Sequence, residues 1–161
     1  MPNGGRRLID AEVCTFLQGP VSAMLGTVDG LLVADVTRIG GLVPLDDGSM
    51  RVLVAANATV ARTNAAEPGS AVSVLVTDIT DYRSLQWKGT VVEWGQPTPG
   101  DRTLLHDHVE RFLAAAPDLG LDVEGARRSF PTEVVALEVT FDALFDQTPG
   151  PAAGRRIQEG S

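Results

Sequence analysis

The chain has 161 residues, 43% of them apolar and 21% charged, and this length predicts a single domain with one hydrophobic core. Its 21 acidic and 13 basic residues give a formal net charge of −8, which argues against a nucleic-acid partner because phosphate backbones attract clustered positive charge. The one cysteine, Cys14, excludes an internal disulfide framework. With no apolar run near the roughly 20 residues of a spanning helix, we expect no membrane association and a cytoplasmic location.

The first half of the chain predicts short β-strands, because blocks rich in Val, Leu and Thr alternate with Gly, Asp and Asn. The predicted strands cover residues 21–28, 31–39, 42–45, 50–56, 71–77 and 84–94. Tight turns are expected at Asp29-Gly30 and at residues 46–49. An alanine-rich helix over 58–67, capped by Asn57 or Thr59, should end before Pro68.

The second half predicts an amphipathic helix over 101–116, a helical turn over 126–130 and a last strand over 133–141. From Asp146 onward, Pro and Gly are too frequent for regular structure. Residues 1–161 are therefore expected to form one domain, with residues 1–10 and 150–161 as flexible tails. The fold class is α+β and mainly β, an antiparallel split barrel of six to seven strands with capping helices.

Familiar catalytic and metal-binding patterns are not found in the sequence. The two histidines, His106 and His108, are two residues apart, which on a helix points them roughly 200° apart and prevents them from binding one ion. No serine lies in a nucleophile elbow, and Cys14 has apolar neighbours. We predict no catalytic side chain and no metal site.

Basic and amide side chains placed at strand ends remain as candidates for a ligand site. Arg38 ends a predicted strand, and Arg62 lies in the short helix. The two-residue period of a strand puts Ser84, Gln86 and Lys88 on one face, opposite Leu85 and Trp87. Such a face is either a solvated outer surface or the lining of a groove for an anion.

Several segments in order resemble the flavin-binding split β-barrel proteins related to pyridoxamine 5′-phosphate oxidase. The resemblance covers residues 20–146. It rests on segments with the sequences VTR (36–38), DDG (46–48), ARTN (61–64), YRSLQWKG (82–89) and FDQTPGP (145–151).

The resemblance implies a homodimer that binds FMN between its two subunits. It implies that Arg38 and Arg62 bind the FMN phosphate, a pairing that suits a dianion. The remaining cofactor-binding residues that it implies are Thr59 and Thr63 as hydroxyl donors, the backbone of Ala55 and Ala56 along the ring, Ser84 or Gln86 as a polar contact, and Lys88 on the same face. The family oxidase has a lysine where this chain has Val43, and its substrate-binding residues have no counterpart in the tail, so vitamin B6 oxidation is not predicted.

The leading hypothesis is an FMN-dependent oxidoreductase with a small-molecule substrate, in which the flavin carries the redox chemistry. Two alternatives stay open. One is a non-catalytic flavin-binding module, and the other is a haem or deazaflavin binder on the same fold, for which His106 and His108 are the available histidine ligands.

Overall fold

The computed structural model describes residues 8–157, which form a closed antiparallel β-barrel with helices outside it. The strands are β1 (Val21–Val28), β2 (Ala34–Pro44), β3 (Met50–Ala55), β4 (Ala71–Asp78), β5 (Ser84–Gly95), β6 (Val134–Asp146) and β7 (Arg155–Arg156). The helices are α1 (Ala11–Leu17), α2 (Thr59–Asn64), α3 (Pro99–Ala115) and α4 (Val123–Arg128), with a 3-10 turn at Pro117–Leu119. The strand order is β3-β2-β1-β4-β5-β6-β7, and pairing of β3 with β6 closes six strands into the barrel. The predicted fold class is confirmed.

Strand β2 corrects the prediction of two strands over 31–39 and 42–45. The chain passes from Ile39 to Gly41 through a register shift against β3 and continues as one strand. A Cβ on Gly40 would lie 2.7 Å from Leu105, and one on Gly41 would lie 3.4 Å from Leu104. The two glycines therefore let α3 pack closely on β2 and do not form a turn.

Two predictions of local structure, a turn and a helix cap, are also wrong. Asp29-Gly30 does not form a two-residue turn, because β2 begins only at Ala34 and the connection includes Leu32 with a φ of 63°. Helix α2 has Ala58 at its N-cap without any side-chain hydrogen bond, so neither Asn57 nor Thr59 caps it. The turn at residues 46–49 and the strand at Val21–Val28 are confirmed.

The barrel interior holds the main core, and α1, which the sequence analysis did not identify, packs against it. Asp10 caps this helix by accepting a hydrogen bond from the Val13 amide at 2.9 Å, and Phe16 and Leu17 are buried. The buried Trp87 donates its indole N–H to the Leu8 carbonyl at 3.1 Å. The segment before β1 is thus tied to the barrel interior.

The chain ends contribute to the described structure as well. Arg155–Arg156 pair with Phe145 and Asp146 of β6, although regular structure was not expected after Asp146. Residues 1–7 and 158–161 lie outside the described residues, and the flexibility of residues 1–10 and 150–161 stays a prediction. No helix of the described chain is long and apolar enough to cross a membrane.

A partly buried ion pair fixes the start of α3 against the barrel. Arg51 on β3 donates two hydrogen bonds to the Asp101 carboxylate, at 2.8 and 2.7 Å, and a third at 3.2 Å to Glu138 on β6. Asp101 also accepts from the Thr98 amide at 2.8 Å, while its own amide donates to the Thr98 hydroxyl at 3.1 Å, forming a capping box. This anchoring places the rest of α3 over β2, beside the candidate site.

Candidate functional site

A cavity of about 980 Å³ opens where β3 ends, between β2 and the segment that follows α4. Its size falls in the range of small-molecule and cofactor sites. Three stretches line it: Thr37 and Arg38 of β2, residues 55–57 at the end of β3, and residues 127–133. Arg38, Ala55 and Ala56, which the resemblance placed at a cofactor, therefore share one cavity. We call it the β3-end cavity.

Arg38 is held by aromatic rings at the edge of this cavity. Its guanidinium carbon lies 4.0 Å from the ring centroid of Phe130 and 5.1 Å from that of Phe112. One terminal nitrogen donates to the Ser129 hydroxyl at 3.1 Å. The Nε atom is buried and has no hydrogen-bond partner among the described residues. Burial lowers the pKa of Arg38, and no carboxylate compensates for it.

Arg62 lies on α2, the helix that follows β3. Its guanidinium donates to the carbonyl oxygen of Ala56 at 3.0 Å. Together with Thr59, Thr63, Ala66 and Trp94 it lines a second, more open hollow of about 520 Å³. Because Ala56 lines the β3-end cavity and accepts from Arg62, the two hollows adjoin at this residue.

The polar face of β5 lies apart from both hollows. Leu85 and Trp87 point into the core, which confirms the predicted alternation. Ser84 is buried and shares a hydrogen bond of 2.8 Å with the Thr77 hydroxyl, so its hydroxyl is already used.

Gln86 and Lys88 have partners of different kinds. The Gln86 side-chain oxygen accepts from Gln147 at 2.9 Å. The exposed Lys88 has its ammonium 4.8 Å from the Phe145 ring centroid and lines a third hollow of about 450 Å³. The structure does not bring Ser84, Gln86 and Lys88 to the β3-end cavity within one copy of the chain.

The outer face of the sheet nevertheless connects Arg38 to Gln86. Arg38 is directly opposite Met24 of β1, Met24 is opposite Leu75 of β4, and Leu75 is opposite Gln86 of β5. Directly opposed residues of antiparallel strands point to the same face. Since neighbouring strands are about 4.8 Å apart, this row spans about 14 Å.

His108 is a buried residue whose surroundings the sequence did not predict. It is 1% exposed, neither ring nitrogen has a hydrogen-bond partner, and the ring contacts Phe130 edge-on with centroids 6.1 Å apart. Burial, with smaller contributions from Arg111 and Arg38, lowers the pKa of His108 to about 4. The imidazole is therefore neutral near pH 7.

Further residues hold Arg38 or line the far wall of the cavity, and they were not predicted from the sequence. These are Phe112, Arg127, Arg128, Ser129 and Phe130. Only the apolar spacing of Phe112 on α3 was visible in advance. Across residues 8–157 there is no group of three or more His, Cys, Asp or Glu side chains placed to hold a metal ion, and His106 is exposed.

Comparison with solved structures identifies the same fold in other proteins. The haem storage protein HutZ from Vibrio cholerae aligns with a TM-score of 0.50 and 17% identity, over 86% of this chain and 94% of that one. HupZ from Group A Streptococcus aligns with a TM-score of 0.54 and 16% identity, over 90% of this chain and 99% of that one. A pyridoxamine 5′-phosphate oxidase-related, FMN-binding protein from Nostoc punctiforme aligns less well, with a TM-score of 0.41 and 12% identity, over 81% of this chain and 76% of that one.

No family model matches the sequence, and no curated protein matches it. At these levels of identity the similarity shows the fold and leaves the chemistry to the residues of this chain.

Proposed function

We propose that this chain, which has the split β-barrel fold of the pyridoxamine 5′-phosphate oxidase-like proteins, is a homodimeric flavoprotein that binds FMN at the β3-end cavity. The observation that carries the proposal is the convergence of Arg38, Ala55 and Ala56 on one cavity, with Arg62 joined to it through the Ala56 carbonyl. The resemblance selected these residues from the sequence alone.

The charges of the cavity fit a phosphate group. Arg38, Arg127 and Arg128 line it with a single carboxylate from Glu133, although the chain as a whole carries a net charge of −8. Arg127 is already paired with Glu110 at 2.8 Å, which leaves Arg38 and Arg128 without an ion pair among the described residues. The buried Nε of Arg38 needs a hydrogen-bond acceptor, and a phosphate oxygen is a strong one. The Phe130 ring already fixes the plane of the Arg38 guanidinium, and this guanidinium would bind the phosphate.

The second phosphate contact is assigned to Arg62. Its side chain is fixed by the hydrogen bond to Ala56, and its charge has no carboxylate partner within residues 8–157. Thr59 and Thr63 line the same hollow and would add hydroxyl donors. Val43 stands where the family oxidase has a further cation, so these two arginines would carry the phosphate between them.

The flavin ring would lie along the backbone of Ala55 and Ala56, and Gln86 would contact the cofactor only from the second subunit. Within one copy, the row from Arg38 through Met24 and Leu75 to Gln86 spans about 14 Å and runs away from β3. Met24 and Leu75 are half-buried apolar residues in the middle of that row. Gln86 rather than Ser84 is the polar contact on this account, because the Ser84 hydroxyl is buried and paired with Thr77.

The bound flavin would supply electron transfer to and from a small-molecule substrate. The protein would bind the cofactor, orient its ring against the strand and shield it from water. We therefore propose an oxidoreductase without a catalytic acid or base from this chain, working as a dimer in the cytoplasm with its cofactor at the subunit interface. Lys88, which is distant from the β3-end cavity in its own copy, would reach the cofactor only from the second subunit.

An absorption spectrum of the purified protein tests the proposal. The sample is incubated with FMN, desalted and scanned, and we expect two retained flavin bands with quenched flavin fluorescence. A Soret band on the protein as isolated would identify haem, the ligand named for the Vibrio cholerae structure, and would contradict the proposal. A colourless protein that does not quench FMN fluorescence would contradict it as well.

Matched variants locate the site. Arg38→Met keeps an aliphatic stem between the aromatic rings and removes the charge, and Arg62→Met does the same at α2. Losing one charge-assisted hydrogen-bond partner costs about 1.5–3 kcal/mol, so each variant should bind FMN about 10- to 100-fold more weakly. Arg102→Met, which removes an exposed arginine of α3, is the control and should bind like the original chain. Unchanged affinity in both test variants would place the flavin elsewhere.

A further inference from the structure

Buried side-chain polar atoms without a hydrogen-bond partner are confined, among the residues that the structure describes, to three residues. They are the Nε atom of Arg38, both ring nitrogens of His108 and the Nε atom of Arg111. Buried polar groups in folded proteins are normally hydrogen-bonded, so each of these atoms requires an explanation. All four lie where α3 packs against β2 and the segment after α4. We call Arg38, His108 and Arg111 the basic corner.

The Phe130 ring and one turn of α3 bring the three residues of the basic corner together. The Arg38 guanidinium carbon lies 4.0 Å from the Phe130 ring centroid, and the His108 ring centroid lies 6.1 Å from it. Arg111 follows His108 by three residues on α3, and residues at this spacing are neighbours on a helix surface. Burial lowers the pKa of His108 most, and the charges of Arg111 and Arg38 lower it further. The two guanidinium groups therefore flank one buried imidazole.

The two arginines of the basic corner have no carboxylate partner within residues 8–157. Neither Arg38 nor Arg111 belongs to an ion pair there, and both are half-buried. Glu110, the residue before Arg111, is paired with Arg127 at 2.8 Å. Asp107, one turn before Arg111, is exposed and forms no ion pair with it. Two cations near each other in a half-buried position are unfavourable, and an anion bound between them would offset their repulsion.

The unpartnered atoms of the basic corner favour an oxyanion as the ligand. Each Nε–H group of Arg38 and Arg111 is a donor that requires an acceptor. Guanidinium groups bind phosphate, sulfate and carboxylate oxygens through charge-assisted hydrogen bonds. An apolar ligand would leave these donors unpaired, and two positive charges would repel a metal cation. Arg38 also lines the β3-end cavity, which gives a ligand access to this side of the corner.

We infer that Arg38 and Arg111 bind one oxyanion group between them, which adds Arg111 of α3 to the residues that recognise the ligand. Arg111 is not among the residues that the resemblance implies. His108 lies beside the bound anion and responds to its charge. The inference rests on the proposed function only where it identifies the oxyanion with the FMN phosphate, since any ligand with such a group would meet the same two donors.

The affinities for FMN and for riboflavin, which lacks the phosphate, test the role of Arg111. Arg111→Met keeps an aliphatic stem and removes the charge. We expect it to bind FMN about 10- to 100-fold more weakly and riboflavin as tightly as the original chain does. Arg102→Met, an exposed arginine on the same helix, is the control. An Arg111→Met chain that binds FMN as tightly as the control, or that loses riboflavin affinity to the same extent as FMN affinity, would overturn the inference.

Sulfate tests the site without any flavin. In a His106→Gln background His108 is the only histidine, so NMR signals of the imidazole report on this residue alone. Bound sulfate offsets the two charges that lower the pKa of His108, and we expect this pKa to rise as sulfate is added at constant ionic strength. Adding Arg111→Met should raise the sulfate concentration required by about 10-fold, whereas adding Arg102→Met should leave it unchanged. A His108 signal that does not respond to sulfate, or a response that Arg111→Met leaves unaltered, would refute the inference.

The two measurements separate this inference from the proposed function. A chain that binds sulfate through Arg111 and does not bind FMN supports the oxyanion site and rejects FMN. A chain that keeps its full FMN affinity in the Arg111→Met variant supports FMN and rejects the oxyanion site.

Discussion

Replacing the buried His108 by leucine should remove an acid-dependent loss of stability. Burial lowers the pKa of His108 from 6.5 to about 4 in the folded chain. The unfolded chain therefore binds more protons between about pH 6.5 and pH 4, and the free energy of unfolding falls as the pH drops through that range. For these two pKa values the loss between pH 7 and pH 5 is about 2 kcal/mol. His108→Leu should lack it, while at pH 7 the variant should stay within about 1 kcal/mol of the original, because both unpartnered ring nitrogens disappear.

The assay for this prediction is urea unfolding at a series of pH values, in which carboxylates contribute equally to every variant. The difference between His108→Leu and the original chain then isolates the imidazole. His106→Gln, which removes an exposed histidine from the same helix, should keep the full acid-dependent loss. If His108→Leu loses as much stability between pH 7 and pH 5 as the original, the imidazole is not held neutral by burial and the reasoning is refuted.

Two further predictions concern the barrel. Hydrogen bonds from Arg51 hold the pKa of Asp101 at about 2, so this carboxylate stabilises the fold above about pH 4 and loses its effect as the pH falls to about 2. Arg51→Met should lower the free energy of unfolding by about 2 kcal/mol at pH 7 and remove that acid dependence. Urea unfolding at a series of pH values measures both effects, with Arg102→Met as the control. A Cβ on Gly89 would collide with the Thr140 carbonyl and lie 2.8 Å from Cα of Phe141, so Gly89→Ala should abolish soluble folded protein. Gly95 lies on the same strand with open space around it, so Gly95→Ala should express normally. Equal thermal stability of the two variants would contradict the register of β5 and β6.

The barrel could be predicted because its strands carry their own local signals. Alternation identified Val21–Val28 and β5, and the turn at residues 46–49 fixed the hairpin between β2 and β3. The break at Gly40-Gly41 misled the prediction because two glycines indicate a turn as readily as a bulge. Only the approach of Leu104 and Leu105 from α3, about 65 residues later in the chain, reveals their role. A long-range packing requirement leaves no local pattern.

The candidate site could be predicted only in part, because it too depends on contacts between distant parts of the chain. The resemblance identified Arg38, Ala55 and Ala56, and the structure brings them to one cavity. The aromatic environment of Arg38 could not be foreseen, since Phe130 follows α4 and reaches β2 only through the packing of α3. The proposal of Gln86 over Ser84 likewise depends on the burial of Ser84, which the sequence left open.

The charged side chains around Arg38 favour an anionic ligand, which structural similarity alone does not indicate. Two cationic side chains, Arg38 and Arg111, meet at this corner beside the neutral His108, whose pKa is lowered first by burial and then by these two charges. The buried Nε atoms of both arginines lack acceptors among the described residues. The chain has 21 acidic residues and Glu133 lines the same cavity, yet neither Arg38 nor Arg111 forms an ion pair with a carboxylate among residues 8–157. No carboxylate among the described residues offsets the unfavourable desolvation of Arg38, and an anionic group bound beside it would offset it. The phosphate of the proposed flavin would meet that requirement without the imidazole of His108, which is buried and packed edge-on against Phe130.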